Sequence, residues 1–281
     1  MKIGLVLEGG GMRGVFTAGV LDVFLEEGIS FDSCYGVSAG ACLACSFLCG
    51  QKGRGYSVMT DYLDNRDYCS WSSFLRTGDL FGADFLYHKI PEQLYPIDNV
   101  AFLRNPTEFY SVATDCRTGE AEYFRVKDMF LDVDAVRASA SLPLVSRMVP
   151  VGDGLYLDGG VADPIPMQKA FEDGCDLVIA VLTRPRGYRK GAESTASLMR
   201  WKYRKYPEFV RSLNERPRVY NETVDRLFRA EEEGRVFVIA PEEALPIRRT
   251  EKDLSILRKG YEDGAGLARF LLPGLKDFIR K

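Results

Sequence analysis

The sequence predicts an α/β protein built on a mainly parallel sheet, and three observations carry that reading. An apolar run at Ile3–Leu7 ends in a glycine loop and leads into a segment of helical periodicity. A second unit of the same kind follows within the first fifty residues: residues 34–37, then Ser38, then a helix over residues 39–48. Residues 177–182 (LVIAVL) form an unbroken apolar run of the kind seen in strands buried on both faces. Strand–glycine–helix units in series put helices on the faces of a parallel sheet.

The elements follow in order. Val15, Ala18, Val20, Leu21, Phe24 and Leu25 recur at helical spacing, and Gly28 supplies the stop. From residue 50 to 106 the periodicity weakens to helices and loops, with a helix expected over 85–94. Residues 109–114 and 122–126 read as strands flanking an Arg117-Thr118-Gly119 turn. A helix is expected over 133–141, ended near Pro143. Residues 149–157 read as a hairpin around Gly152-Asp153-Gly154. Beyond the 177–182 strand, residues 236–239 are a returning strand, and 251–279 a helical tail interrupted at Gly264–Gly266. The expected organisation is a core domain over 1–183, with a basic and aromatic helical region over 184–281 packed on it.

The chain has 281 residues, enough to bury a large core without a disulfide or metal staple. A net charge of −3 argues against nucleic acid as a partner. Seven cysteines show no paired C-x-x-C pattern, and Cys42, Cys45 and Cys49 fall at helical spacing in an apolar run. They read as reduced core thiols of a cytoplasmic protein. The N-terminus lacks the pattern of a signal peptide, and no stretch is apolar enough to span a membrane. Within 184–218 eleven Lys and Arg residues are interleaved with Trp201, Tyr203, Tyr206 and Phe209. That stretch is either a surface for peripheral contact with anionic lipid, or a solvated helical face with Trp201 and Tyr203 packed inward.

Gly36-Val37-Ser38-Ala39-Gly40 sits between a strand and a helix and matches a nucleophile elbow. Gly36 and Gly40 are needed where the turn is tight, and the helix aims its positive end at the serine. Gly9-Gly10-Gly11-Met12-Arg13-Gly14 follows the first strand. Backbone N–H groups in such a loop can stabilise an oxyanion. They can equally cradle a phosphate, and the loop satisfies the G-x-G-x-x-G spacing literally.

A Ser–His–Asp triad needs an imidazole, and the chain has one histidine. His88 lies in a predicted helix, out of the Ser–acid–His order of α/β-hydrolases, and reads as an ordinary histidine. The base is then expected to be a carboxylate. Asp158, at the end of an apolar strand and followed by Gly159 and Gly160, is the candidate; an Asp-Gly turn is the plainer alternative.

Together these motifs resemble the patatin-like phospholipase family. Residues 9–14 are similar to its G-G-G-x-R-G oxyanion loop, 36–40 to its G-x-S-x-G elbow, and 158–160 to its D-G-G/A. The block Ala138-Ser139-Ala140-Ser141-Leu142-Pro143 is similar to a further family segment. Glu8 stands where many members carry Asp. The resemblance covers roughly residues 3–183. It implies a three-layer α/β/α sandwich with Ser38 as nucleophile and Asp158 as general base. Gly9, Gly10, Gly11 and the Ala39 N–H would form the oxyanion hole, and Gly14, Gly36, Gly40, Gly159 and Gly160 would support the loops. Arg13 would orient the oxyanion loop or bind an anionic head group. It also implies a lipid acyl ester as substrate, an acyl-enzyme intermediate and no cofactor. The competing readings are a non-catalytic lipid-binding or scaffold protein on the same fold, and an acyltransferase.

Overall fold

The computed structural model describes residues 1–192 and 195–280. Glu193, one of the few acids in the basic stretch, lies outside them. In chain order the N-terminal half runs β1 (Ile3–Leu7), α1 (Gly14–Glu26), β2 (Ser33–Val37), α2 (Ala39–Leu48), α3 (Arg54–Thr60), α4 (Trp71–Thr77), α5 (Asn99–Arg104), β3 (Glu108–Asp115) and β4 (Ala121–Val126). It continues with α6 (Val133–Ser139), β5 (Val149–Val151), β6 (Gly154–Asp158), α7 (Met167–Glu172) and β7 (Leu177–Val181). Last come α8 (Ala196–Lys202), α9 (Pro207–Glu232), β8 (Val236–Ile239) and α10 (Leu254–Phe278).

One sheet contains all eight strands in the order β5-β6-β3-β2-β1-β7-β8, with β4 also paired to β3. The run β3-β2-β1-β7-β8 is parallel, and β4, β5 and β6 are antiparallel. Alternation along the central strands shows why helices cover both faces. Leu5, Leu7, Ile179 and Val181 enter a core with Phe16, Val20 and Phe24 of α1, Leu48 of α2 and Leu275 of α10. Val6, Val178 and Ala180 point the other way, into a second core with Ala170 of α7 and Tyr220 and Leu227 of α9. The predicted α/β architecture, with a mostly parallel sheet between helical layers, is the one found.

The predicted helix over 85–94 winds as a π-helix with Pro91 inside it, burying Phe85 and Ile90. The expected interruption at Gly264–Gly266 is absent, and α10 is continuous. Gly264 is there for packing: a Cβ on it would lie 2.1 Å from the Phe16 carbonyl oxygen of α1, and one on Gly19 would lie 2.2 Å from the Tyr261 carbonyl oxygen. Two helix backbones meet at these positions, which a bulkier residue would force apart. β8 adds to the sheet beside β7, so residues beyond 183 complete the sheet as well as covering it.

In the basic stretch many charges are paired. Arg186 bonds Glu231 at 2.6 Å, Arg211 bonds Glu208 at 2.7 Å, and Arg189 pairs with Asp225. Tyr203 and Phe209 are buried, whereas Trp201 is 66% exposed, with the Arg204 guanidinium near its ring. The inward packing expected of this aromatic pair therefore holds for Tyr203 and fails for Trp201. Among the described residues no helix is long and apolar enough to cross a membrane.

Candidate active site

The site is built on β3. β4 pairs with Phe109–Thr114 along one edge of that strand. The other edge is shared: β2 pairs with residues 108–112, and β6, running the opposite way, with 113–115. Val37, the last residue of β2, is partnered with Val112; Asp158, the last of β6, is partnered with Ala113. The two strands thus end head to head in one lane of the sheet. Ser38 and Asp158, far apart in sequence, emerge where they meet.

Ser38 has φ 55° and ψ −125°, a conformation sparsely populated by residues with a side chain. Such strain costs about 1–3 kcal/mol and persists only where the surroundings hold it. Here the Ser38 carbonyl accepts the N–H groups of Ala41 and Cys42, and its N–H donates to Ser139 Oγ at 2.8 Å. The flanking glycines allow the turn to sit close to its neighbours. A Cβ on Gly36 would lie 2.5 Å from Ala41 Cα, and one on Gly40 2.5 Å from the Leu7 carbonyl oxygen. On the other side, a Cβ on Gly9 would lie 2.7 Å from Ser38 Cβ, so the glycine loop packs directly on the elbow.

Asp158 is 2% exposed. Its Oδ1 accepts the Gly160 N–H at 2.8 Å, capping the short turn Gly159–Val161. Its carbonyl accepts from Thr114 Oγ1 at 2.9 Å, and its N–H donates to the Ser141 carbonyl at 2.8 Å. Oδ2 is buried and has no hydrogen-bond partner among the described residues. A buried carboxylate oxygen without a protein donor is costly, and Oδ2 is the oxygen of this side chain left able to accept.

Gly9, Gly10, Gly11 and Ala39 donate no backbone hydrogen bond among the described residues. Glu8 anchors the loop's start. Its Oε2 accepts the Thr183 N–H at 2.6 Å, and its Oε1 accepts the Tyr220 hydroxyl at 2.8 Å. Burial holds the Glu8 carboxyl above its usual range, with the hydrogen bonds from Thr183 and Tyr220 and the nearby Arg13 charge pulling the other way. Arg13 and Gly14 open α1, behind the loop.

Two cavities meet at the elbow. One, about 160 Å³, is largely apolar and lined by Ser38, Cys42, Leu43, Met59, Ile90 and Val136 among others. The second, about 50 Å³, is lined by Gly9, Gly10, Gly11, Ser38, Asp158 and Gly160 together with charged side chains. Gly11, Ser38 and Leu142 line both. His88 lines neither; it is exposed, with Nδ1 3.3 Å from Glu92 Oε1.

All the candidate residues other than His88 are therefore gathered around one elbow. Sequence reasoning misses Ser139 and Ser141, which tether Ser38 and Asp158 to a single segment. The block containing them stands out, but a bond between Ser38 and Ser139 spans a hundred positions and leaves no local pattern. Thr183, Tyr220 and Thr114 are missed outright. Only Thr183 carries a signal, as a polar residue just past the C-terminal end of the plainest buried strand.

Comparison with known proteins places the chain among families and folds. Residues 5–171 match the patatin-like phospholipase family, and residues 206–280 match a domain family of unknown function, DUF6363. The protein YjjU of Escherichia coli K12 is 37% identical over 191 residues, which are 66% of this chain and 52% of YjjU. An NTE family protein of Mycobacterium tuberculosis, MT2641, is 31% identical over 64% of this chain and 30% of its own length. Lysophospholipase NTE1 of Kluyveromyces lactis is 24% identical over 64% of this chain and 12% of its own. The matched region is thus about half or less of each of these relatives. Among solved structures, VipD from Legionella pneumophila shares the fold at a TM-score of 0.51 and 13% identity, covering 97% of this chain and 67% of VipD. The chain belongs to the patatin-like phospholipase family.

Proposed function

We propose that this chain hydrolyses acyl esters of lipids with a Ser38–Asp158 dyad, through an acyl-enzyme and without a cofactor. The observation that carries the reading is the meeting of β2 and β6 on one edge of β3, which brings a strained serine and a buried carboxylate with an unpartnered Oδ2 into one cavity. The ester's acyl chain enters the apolar cavity. Ser38 Oγ attacks the carbonyl carbon while Asp158 takes its proton. Negative charge builds on the carbonyl oxygen and is met by N–H groups of Gly9, Gly10, Gly11 and Ala39. The tetrahedral intermediate collapses, and the alcohol leaves with the proton from Asp158. Water, deprotonated by Asp158, then attacks the acyl-enzyme; the acyl–Oγ bond breaks, the fatty acid leaves, and Asp158 returns the proton to Ser38 Oγ. Peripheral membrane contact through 184–218 belongs to the same proposal, with exposed Trp201 as its apolar element; the pairing of Arg186, Arg189 and Arg211 weakens it.

The test is turnover of p-nitrophenyl butyrate by wild type, Ser38→Ala, Asp158→Asn and His88→Ala. The first two substitutions should each lower kcat by more than about 10²-fold, the scale of a lost general base or nucleophile. His88→Ala should stay close to wild type. Activity surviving in Ser38→Ala, or lost in a folded His88→Ala, would remove the dyad. An added alcohol that diverts the acyl group into a new ester would mark the chain as an acyltransferase.

A further inference from the structure

The small cavity beside Ser38 has a wall that the chemistry of ester cleavage leaves unused. Five basic side chains line it: Arg13 from the glycine loop, Arg184 and Lys190 from the segment after β7, Arg216 from α9, and Arg249 from the segment before α10. They converge from four parts of the chain. Two carboxylates share the lining, Glu8 and Asp158. Glu8 accepts from Thr183 and Tyr220, and Asp158 caps its own turn through Oδ1 and faces the nucleophile's cavity.

Arg13 is buried, and its Nε has no acceptor among the described residues. A buried guanidinium N–H without a partner is costly unless something else fills the place. Burial, and then the repulsion of Arg184 and Arg249, hold the Arg13 pKa down to about 10 against the attraction of Glu8. Arg13, Arg184 and Arg249 form no ion pair among the described residues. Several of these cations are nonetheless held in place. Arg184 lies over the Tyr188 ring at 4.4 Å and Lys190 over the Tyr220 ring at 5.5 Å, and Arg216 Nε donates to the Gly160 carbonyl at 2.7 Å. Arg13, Arg184 and Arg249, three guanidinium groups without an ion pair among the described residues, lie next to backbone N–H groups in a glycine loop, and that is a phosphate-binding arrangement.

We propose that this cavity binds the substrate's phosphate and that it selects lipids whose headgroup is a net anion, of the phosphatidate or phosphatidylglycerol kind, over those whose phosphate carries a choline or ethanolamine. The proposal rests on the hydrolytic reading above. Because the two cavities share Ser38, an ester held at the elbow puts its acyl chain into the apolar cavity and the rest of the lipid against the basic wall. An ammonium group there would face arginines rather than the carboxylates or open aromatic faces that recognise such cations. Arg216, Tyr220 and Arg249 all lie within residues 206–280, so the region matched by the family of unknown function acquires a role in closing the headgroup end of the site.

The full chain is assayed on lysophosphatidylglycerol and lysophosphatidylcholine of one acyl length in neutral detergent micelles, with p-nitrophenyl butyrate alongside. Wild type should prefer the anionic lipid by about 10-fold or more in kcat/KM, the scale of one charged hydrogen bond. Arg184→Gln and Arg249→Gln should each cut that preference severalfold, chiefly through KM, with thermal melts showing the fold retained. Equal rates on the two lipids in wild type, or a preference untouched in both variants, would overturn the proposal. Calorimetric titration of glycerol 3-phosphate and inorganic phosphate into Ser38→Ala reads the site without turnover. Glycerol 3-phosphate binding that weakens in the Arg184→Gln and Arg249→Gln backgrounds supports the headgroup site. Absence of binding by either probe overturns it, as does inorganic phosphate binding combined with equal lipid rates, which would assign the cavity to a free anion. Failure on all three esters with phosphate binding intact would strike the hydrolytic reading and leave the anion site standing.

Discussion

Lengthening the acyl group of a soluble ester probes the apolar cavity directly, and the size of the effect follows from its volume. A dry apolar cavity of about 150 Å³ holds a benzene-sized molecule, about six carbons. The cavity beside Ser38 is about 160 Å³. Each methylene moved from water into such a space gains about 0.8 kcal/mol. If that gain is realised in the transition state, it raises kcat/KM about fourfold per methylene. From acetate to hexanoate, four methylenes give roughly 3 kcal/mol, or about 200-fold. Beyond hexanoate the gain per methylene should shrink, because the chain leaves this volume. The assay is initial rates on p-nitrophenyl acetate, butyrate, hexanoate, octanoate and decanoate below the critical micelle concentration. Cys42→Phe, one helical turn beyond Ser38 and on the cavity wall, places a ring in that space and should pull the hexanoate-to-acetate ratio down at least tenfold. A flat profile from acetate to hexanoate in wild type, or an unchanged ratio in Cys42→Phe, would refute the assignment of this cavity to the acyl chain.

Two substitutions test the supports of the site. Ser139→Ala removes the acceptor of the Ser38 N–H and orphans a buried donor in a strained turn. It should destabilise the fold by about 1–3 kcal/mol and lower kcat about tenfold with little change in KM. Unchanged melting and unchanged kcat would show that the tether is idle. Glu8→Gln tests a buried carboxyl whose pKa is raised above its ordinary 4.5 by burial. The folded chain holds this proton more tightly than the unfolded chain, so the stability it contributes is full below about 4.5 and is lost as pH rises through the higher folded value. Urea unfolding from pH 4.5 to 8 should therefore show wild type losing stability relative to Glu8→Gln as pH climbs. A constant difference across that range would contradict the assignment.

The sequence exposed most of what is local. Apolar runs marked β1, β7 and β8, and the glycines around Ser38 marked the elbow, because each is a short-range pattern with a short-range cause. A single histidine, out of triad order, leaves a carboxylate as the expected base, and Asp158 ends an apolar strand ahead of two glycines. What stayed hidden depends on contacts across the fold. Gly264 reads as a helix breaker in isolation, yet it sits inside a continuous helix because Phe16 of α1 presses against it. Trp201 and Tyr203 are two positions apart and face opposite environments, since only Tyr203 reaches Phe209 and the Leu144 N–H. The basic wall draws on residues 13, 184, 190, 216 and 249, and no window of sequence contains it.

The meeting of β2 and β6 along β3 makes that strand a ruler for the proposed dyad. The spacing between Ser38 and Asp158 is set by two consecutive rungs, Val112 and Ala113, and owes nothing to the length of chain looping between them. Insertions in the helices and loops after α2 can reshape the apolar cavity while Ser38 and Asp158 keep their separation. A one-residue slip of either strand would be different in kind: it would shift one partner by about 3.3 Å and turn its side chain to the opposite face. On the proposed mechanism, substrate range is thus free to drift in this scaffold where reactivity is not.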